Sequence, residues 1–208
     1  MNIKRYIATI ILAIVLLLNF SCTDWLDVKP VDRMSEDQLY STEAGFRQAL
    51  NGIYVELNHA DLYGDELLVN TVEILAQRYK FSSMGTLTNQ YHLAEFDYTT
   101  DYAKKCGSRI WEKAYALIAN VNKLLKNADS HKDLFTGDSY DLITGEAYAL
   151  RAFLHFDLLR LFGPVYKTHK EDKSICYNTQ FSLSGSDLLP ASKVMEYVIA
   201  DLKEAEDR

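Results

Sequence analysis

Residues 146–166 read Glu-Ala-Tyr-Ala-Leu-Arg-Ala-Phe-Leu-His-Phe-Asp-Leu-Leu-Arg-Leu-Phe-Gly-Pro-Val-Tyr, and this stretch decides the fold. Its apolar residues recur at steps of three and four, which is the spacing of one face of an α-helix. Gly163 can adopt the left-handed conformation that closes a helix, and Pro164 cannot continue one, so the helix should end near Phe162. The predicted buried stripe consists of Ile143, Ala147, Leu150, Leu154, Leu158 and Leu161, widened by Phe153 and Phe156.

The remaining sequence predicts further helices and no alternating strand pattern. Segments 82–98 and 167–189 are expected to be irregular loops. Antiparallel helices joined by turns predict an all-α fold of tetratricopeptide-like helix pairs with long irregular loops. The first predicted helix begins at Thr42 and Glu43 and ends within residues 58–61. The second covers residues 66–79, the third covers residues 104–126, and the last begins at residues 190–192.

The amino terminus has the pattern of a secretory signal peptide. Lys4 and Arg5 precede an apolar run, and Ser21 supplies a small residue before Cys22. A transmembrane helix is the alternative, but it needs about 20 apolar residues and this run is shorter. Residues 1–21 are therefore predicted to be a lipoprotein signal peptide. Cys22 resembles a bacterial lipid acceptor, followed by a tether over 22–34.

The charge balance disfavours one class of partner. The chain of 208 residues has a formal net charge of −7, which becomes −9 if Lys4 and Arg5 are removed with the signal peptide. No basic stripe is present to neutralise phosphates, so nucleic-acid binding is not expected. An acidic surface is compatible with neutral ligands such as glycans. Cys106 and Cys176 could pair in an oxidising compartment or remain packed thiols.

Catalytic machinery is hard to find in this sequence, and we expect a protein that is not an enzyme. No two histidines have the spacing that places two metal ligands on one helix face, and no phosphate-binding glycine-rich loop occurs. Neither a metal nor a cofactor is predicted. Asp157 and Arg160 are expected to form a surface ion pair. Most of the 14 tyrosines should belong to the scaffold, and Tyr54, Trp111, Tyr115 and Tyr148 lie on helical stripes that predict core packing.

Four segments resemble the SusD/RagB family of outer-membrane nutrient-binding lipoproteins. The first is residues 146–166, whose sequence closely resembles the hallmark segment of that family. The others fall in the order that the family shows. They are Cys22-Thr-Asp-Trp-Leu-Asp-Val-Lys-Pro30, Phe46-Arg-Gln-Ala-Leu-Asn-Gly-Ile-Tyr54 and Trp111-Glu-Lys-Ala-Tyr-Ala-Leu-Ile-Ala-Asn120.

The resemblance implies a lipid-anchored protein on the outer surface of a Gram-negative outer membrane. Such a protein binds oligosaccharides or similar nutrients and delivers them to a partner TonB-dependent (SusC-like) transporter, with no bound cofactor. Residues 35–208 would be its amino-terminal helical region. Relatives are more than twice as long, so we interpret the chain as a fragment, a truncated product or a short member. Its last helix is then expected to leave Val194, Val198 and Leu202 exposed.

The resemblance also implies where a ligand binds. Arg78, Tyr79 and Phe81 follow the second predicted helix, where relatives often carry aromatic residues that stack on ligands. Tyr79 and Phe81 could stack on a sugar and Arg78 could donate hydrogen bonds, although Ala76-Gln77 replaces an acidic pair found in many relatives. A simple helix end is the plain alternative. Tyr91, Phe96 and Tyr98 are weaker candidates.

Two other functions remain open from the sequence. A helical surface lipoprotein could act only as a scaffold for protein interactions. A surface glycan hydrolase would need two carboxyl groups at a set separation, which a sequence cannot show.

Overall fold

The computed structural model describes residues 35–81, 88–181 and 185–208, and these ranges contain helices, turns and one isolated β-bridge but no strand. The predicted signal peptide, Cys22 and the tether lie outside them. No helix in these ranges is long and apolar enough to cross a bilayer. The helices are α1 Glu36–Leu39, α2 Glu43–Leu57, α3 Thr71–Leu75, α4 Thr88–Ala94, α5 Asp101–Ser130, α6 Ser139–Phe162, α7 Tyr166–His169 and α8 Ala191–Glu206.

Helix α2 begins and ends where the sequence predicts. Thr42 is its N-cap, and its hydroxyl accepts a hydrogen bond from the Gly45 backbone N–H (3.2 Å), which satisfies one of the free donors of the first turn. Asn58 is its C-cap. The first turn passes so close to α1 that a Cβ on Gly45 would overlap the backbone oxygen of Leu39. Glycine is therefore required there by space and not by backbone dihedral angles.

Helices α2, α5, α6 and α8 enclose the main core. The third predicted helix is confirmed as α5, which starts at the N-cap Thr100 and is longer than expected at both ends. The hallmark segment is confirmed as α6, which follows Gly137 at a φ of 53°. The side chains with the least exposure in this core include Phe46, Leu62, Ile110, Leu117, Ile118, Leu124, Ile143, Leu154, Leu158 and Ile175.

Two expectations about α6 are wrong. Phe153 and Phe156 do not widen its buried stripe, because their rings are 44% and 37% exposed. The Phe153 ring stacks instead on Tyr63 (5.1 Å between centroids), while α6 packs on α5 and α8. Gly163 ends the helix as expected, but its backbone is extended (φ −84°, ψ 169°) and not left-handed. A Cβ there would lie 2.5 Å from the Leu159 oxygen, so glycine serves a close approach.

The last helix also differs from expectation. Val194 and Val198 are buried against α6, and only Leu202 of the three predicted residues is exposed (48%). Tyr54 likewise departs from the predicted core packing, since it is 43% exposed and its hydroxyl donates to Glu146. Trp111, Tyr115 and Tyr148 do pack against the core. Cys106 and Cys176 are free thiols, so the disulfide alternative is not realised.

The region between α2 and α5 is where the predicted elements fail. The second helix covers only Thr71–Leu75, because residues 58–70 fold into turns around the buried carboxylate of Glu66. That carboxylate accepts a hydrogen bond from the Thr71 hydroxyl and pairs with Arg109 of α5. Conversely, a segment predicted to be a loop contains helix α4. Helix α7 likewise occupies part of the predicted loop over 167–189.

A buried ion pair connects α6 to α8. Arg151 donates to Asp201 through Nε (2.6 Å) and Nη2 (2.7 Å), and both residues are more than nine-tenths buried. Its Nη1 donates to Asn122 of α5 (2.9 Å), and the Tyr177 hydroxyl donates to Asp201 (2.6 Å). Bidentate pairing and these added bonds are what a buried guanidinium needs to offset its desolvation.

His155 extends this network to the loop before α8. Its ring is fully buried, and its Nε2 accepts a hydrogen bond from the Asn178 backbone N–H (3.0 Å). Nδ1 therefore carries the proton and donates to the Arg151 oxygen (2.9 Å). Burial is the main cause that lowers the pKa of His155 from 6.5 to about 4, because a charged imidazole would lose its hydration.

Alanine at two glycines of α2 should have opposite effects on stability. Gly45→Ala should lower the free energy of unfolding by about 2 kcal/mol or more, because the new methyl group overlaps backbone atoms of α1. Gly52→Ala is the matched control, since a Cβ at that position would have open space within 4 Å and alanine is favoured in an exposed helix by about 1 kcal/mol. Urea denaturation measures both; equal effects of the two changes would contradict the close approach of α1.

Protonation of His155 should weaken the fold in mild acid. The unfolded chain takes up this proton below pH 6.5 and the folded chain only below about pH 4, so this stability is complete above 6.5 and is lost as the pH falls towards 4. Between pH 7 and 5 the loss should be about 2 kcal/mol. His155→Gln should remove most of this dependence in urea denaturation, whereas the exposed control His169→Gln should retain it. An unchanged slope in His155→Gln would contradict the assignment.

Candidate functional site

The predicted ligand-binding residues lie on a segment that turns sharply after α3. Gln77 has a φ of 59°, a left-handed conformation that is uncommon for a residue with a side chain. Its Nε2 donates to the Ala94 oxygen (2.5 Å), which ties the turn to the end of α4. The Gln77 N–H donates to the Ile74 oxygen (3.0 Å) and the Arg78 N–H donates to the Glu73 oxygen (3.0 Å), which are the bonds of an ordinary helix C-terminus. The plain alternative of a simple helix end therefore stays open for this segment.

Tyr79 and Phe81 lie side by side, and we call this pair the aromatic edge. Their ring centroids are 6.0 Å apart at an interplanar angle of 70°, an edge-to-face arrangement. The Tyr79 ring is 44% exposed and its hydroxyl donates to the Val69 oxygen (2.9 Å). Phe81 packs on a small second cluster that includes Ile74 and Leu93. One ring is thus held against the protein while the other presents its surface to solvent.

Arg78 stands beside the aromatic edge with an exposed side chain. Its Nε lies 3.9 Å from the Glu73 carboxylate, and the side chain is 72% exposed. An exposed ion pair of this kind contributes about 0–1 kcal/mol, so Glu73 does not hold the guanidinium firmly. Arg78 can therefore move towards a ligand at low cost.

An apolar cavity of about 390 Å³ lies next to this region. It shares Leu75 and Leu93 with the cluster on which Phe81 packs. Sequence reasoning missed this cavity, because α6 contributes its last turn to a site that begins in α3. The lining residues are Thr71, Leu75, Leu93, Tyr98, Ala103, Lys104, Gly107, Ile110, Leu161 and Phe162.

The weaker aromatic candidates fall into different surroundings. Tyr98 is 57% exposed and lines the apolar cavity, and Phe96 is 52% exposed on backbone with a φ of 60°. Tyr91 contacts the ring of His92 (5.7 Å between centroids). Val69 is a neighbour of Tyr79 that the sequence did not indicate. Its backbone oxygen accepts the bond from the Tyr79 hydroxyl, and its apolar side chain is exposed.

The described ranges offer little to a catalytic interpretation. They contain no group of three or more histidines, cysteines or carboxylates that could hold a metal ion. His155 has both ring nitrogens engaged in hydrogen bonds and is buried, so it cannot exchange protons with a bound substrate. The predicted ion pair between Asp157 and Arg160 is confirmed (2.9 Å from Nε), and Asp157 also accepts a bond from Tyr63.

Comparison with known sequences identifies related proteins along almost the whole chain. The family model described as "Starch-binding associating with outer membrane" matches residues 24–207. SusD-like protein P2 and SusD-like protein P38 of Formosa agariphila are 27% and 24% identical to this chain over 206 and 193 residues. These alignments cover 98% and 89% of this chain, but only 38% and 34% of the relatives.

Solved structures show the same fold. A SusD superfamily protein from Bacteroides fragilis has a TM-score of 0.66 at 18% identity, covering 79% of this chain and 39% of that protein. A SusD-like carbohydrate binding protein from Bacteroides vulgatus has a TM-score of 0.66 at 22% identity, covering 80% and 35%. This likeness confirms the predicted all-α, tetratricopeptide-like class. The chain spans about two fifths or less of the length of each of these proteins.

Proposed function

This chain belongs to the SusD-like family, and on that premise we propose that it is a non-catalytic, lipid-anchored protein of the outer membrane that binds oligosaccharides or similar nutrients and delivers them to a TonB-dependent transporter. The family description, with its starch binding and outer-membrane association, supports the ligand class and the location. The observation that carries the binding role is the exposed aromatic edge of Tyr79 and Phe81.

A sugar ring offers an apolar face of C–H groups and a rim of hydroxyls. The exposed surface of Tyr79 suits the apolar face, because aromatic rings gain from contact area and lose little conformational entropy when they are already fixed. The bond from the Tyr79 hydroxyl to Val69 and the edge contact with Phe81 hold that ring in place. Arg78 is placed to donate hydrogen bonds to the hydroxyl rim.

Other parts of the chain support the proposed anchor and the proposed ligand class. Cys22 after an apolar leader would carry the acyl chains, since more than one chain is needed for stable attachment to a membrane. The excess of acidic residues suits a neutral ligand. Binding at the membrane surface would raise the local concentration of nutrient beside a transporter without any chemical step.

Removal of the exposed ring should weaken glycan binding. Tyr79→Ala should reduce affinity for maltoheptaose, or for the best ligand of a neutral oligosaccharide panel, by about tenfold, which is the loss of about 1.4 kcal/mol. Tyr79→Phe should keep affinity within about threefold because the stacking surface remains. Isothermal titration calorimetry measures both.

Tyr54→Ala is the matched control for this change. Tyr54 is 43% exposed and lies on α2, and its hydroxyl donates to Glu146 of α6 and not to a residue of the aromatic edge. It should leave affinity unchanged. Equal affinity in folded Tyr79→Ala and wild type would remove Tyr79 from the binding site, and no binding to any oligosaccharide would overturn the ligand class.

One purification tests the anchor and the partner together. A chain tagged after Arg208 and solubilised from outer membranes should carry labelled palmitate and bring a TonB-dependent transporter with it, identified by mass spectrometry. Cys22→Ser should lose the label, because the acceptor thiol is gone, and Cys106→Ser is the matched control that should retain it. Label on Cys22→Ser would disprove the anchor, and recovery of the protein alone would argue against transporter docking.

A further inference from the structure

A second pocket lies where the loop before α8 crosses α5. Its volume is about 250 Å³, and its residues include Trp111, Tyr115, Asn122, Asn178 and Gln180. None of its described lining residues also lines the apolar cavity next to the aromatic edge. It is therefore a separate feature, and nothing in the proposed function uses it.

The walls of this pocket are fixed before any ligand arrives. The Tyr115 hydroxyl donates to the Cys176 oxygen (2.8 Å), and Asn122 donates through Nδ2 to the Asn178 oxygen (2.9 Å). The Asn178 backbone N–H donates to His155. These bonds engage both backbone groups of Asn178. A preorganised wall of this kind lowers the entropy cost of binding.

Trp111 and Tyr115 form an aromatic wall on one side of the pocket. They are one helical turn apart on α5, with ring centroids 4.8 Å apart at an angle of 51°. Both rings are half-buried, and Trp111 is held from the side by the edge of Phe162 (5.2 Å). Such a wall suits a ligand that has an apolar face.

Asn178 supplies a polar group that lacks a partner. Its side-chain Oδ1 is buried and, within the parts of the chain that are described, accepts no hydrogen bond. An unsatisfied buried acceptor is costly and rare in folded proteins, so such an atom points to an absent donor. A ligand hydroxyl would satisfy it after a rotation of the Asn178 side chain, because the residue lines the pocket while the atom itself is buried.

Charge narrows the class of ligand further. The lining residues of this pocket that the structure describes are Trp111, Tyr115, Ala119, Asn122, Cys176, Asn178, Gln180, Gly185 and Ser186, and all are uncharged types. A phosphate or carboxylate would find no cation there to offset its desolvation. The volume is also below the roughly 300–1,000 Å³ of pockets for drug-sized ligands, which favours a single ring.

We propose that this pocket binds one neutral sugar ring, stacked on Trp111 and Tyr115 and donating a hydroxyl hydrogen bond to Asn178. It is a second sugar site, separate from the aromatic edge. The inference rests on the proposed function only in taking the ligand to be a sugar. A glycan held at two points would dissociate more slowly than one held at either point alone.

Tryptophan fluorescence can test this site directly in the full chain. The chain has two tryptophans, so Trp25→Phe leaves Trp111 as the only one. Titration of this variant with glucose, galactose, mannose and N-acetylglucosamine through the millimolar range should give a saturable change with at least one of them. Asn178→Leu should weaken that binding at least tenfold, and the same change at exposed Asn120 on α5 is the matched control that should leave it unchanged.

A second variant keeps the test valid if Asn178→Leu does not fold. Ala119→Leu adds volume inside the pocket and should also abolish the saturable signal. No saturable change with any of the four sugars would overturn the proposal in favour of bound water. A signal that survives both folded variants would place the sugar elsewhere and overturn it too.

Tyr79→Ala in the same background separates this inference from the proposed function. If Trp111 fluorescence still reports sugar binding in Tyr79→Ala while the affinity for oligosaccharides is lost, the result supports both the pocket and the aromatic edge as sugar sites. If Trp111 reports binding but Tyr79→Ala has no effect on oligosaccharides, this pocket stands and the aromatic edge fails. If oligosaccharides bind through Tyr79 and Trp111 never responds, the pocket fails alone.

Discussion

The buried pair of Arg151 and Asp201 is the constraint on which the rest of this structure depends. Arg151 is 6% exposed, so its guanidinium must find partners for its N–H groups, or its desolvation would cost several kcal/mol. The guanidinium makes two hydrogen bonds to Asp201 of α8 and one to Asn122 of α5. These bonds tie both helices to α6. Such a pair adds little net stability compared with apolar packing, but it permits few alternative arrangements of these helices.

The same network determines how the loop before α8 lies on the helices. Tyr177 reaches Asp201, Asn178 reaches His155 and Asn122, and the rings of His155 and Tyr177 stack 3.9 Å apart. An irregular loop can be this well ordered because side chains of α5 and α6 satisfy its backbone groups. The pocket beside Trp111 is a consequence of that order. Its walls are bonded to residues that serve the core, so neither wall can collapse to fill the space.

Helices that bury a long regular stripe were predictable, and short elements that depend on distant partners were not. The periodicity of α2, α5, α6 and α8 is strong enough to identify them from local sequence. Residues 66–79 have a helical pattern too, but the carboxylate of Glu66 pairs with Arg109, and turns are needed to bury it. Nothing local indicates that partner. The exposure of Phe153 has a similar cause, because only three-dimensional packing shows that α5 and α8 already cover the narrower stripe.

The candidate sites follow the same division. Tyr79 and Phe81 are close in sequence, so a local argument could place them together. No local argument could identify Asn178. Its side-chain Oδ1 lacks a partner, while Asn122 and His155, which are distant in sequence, bond to its backbone. The helical stripes predict that Trp111 and Tyr115 belong to the core, and both do pack against it. One helix face can thus serve the core and a pocket at once when a loop held above it by polar bonds stops short of covering it.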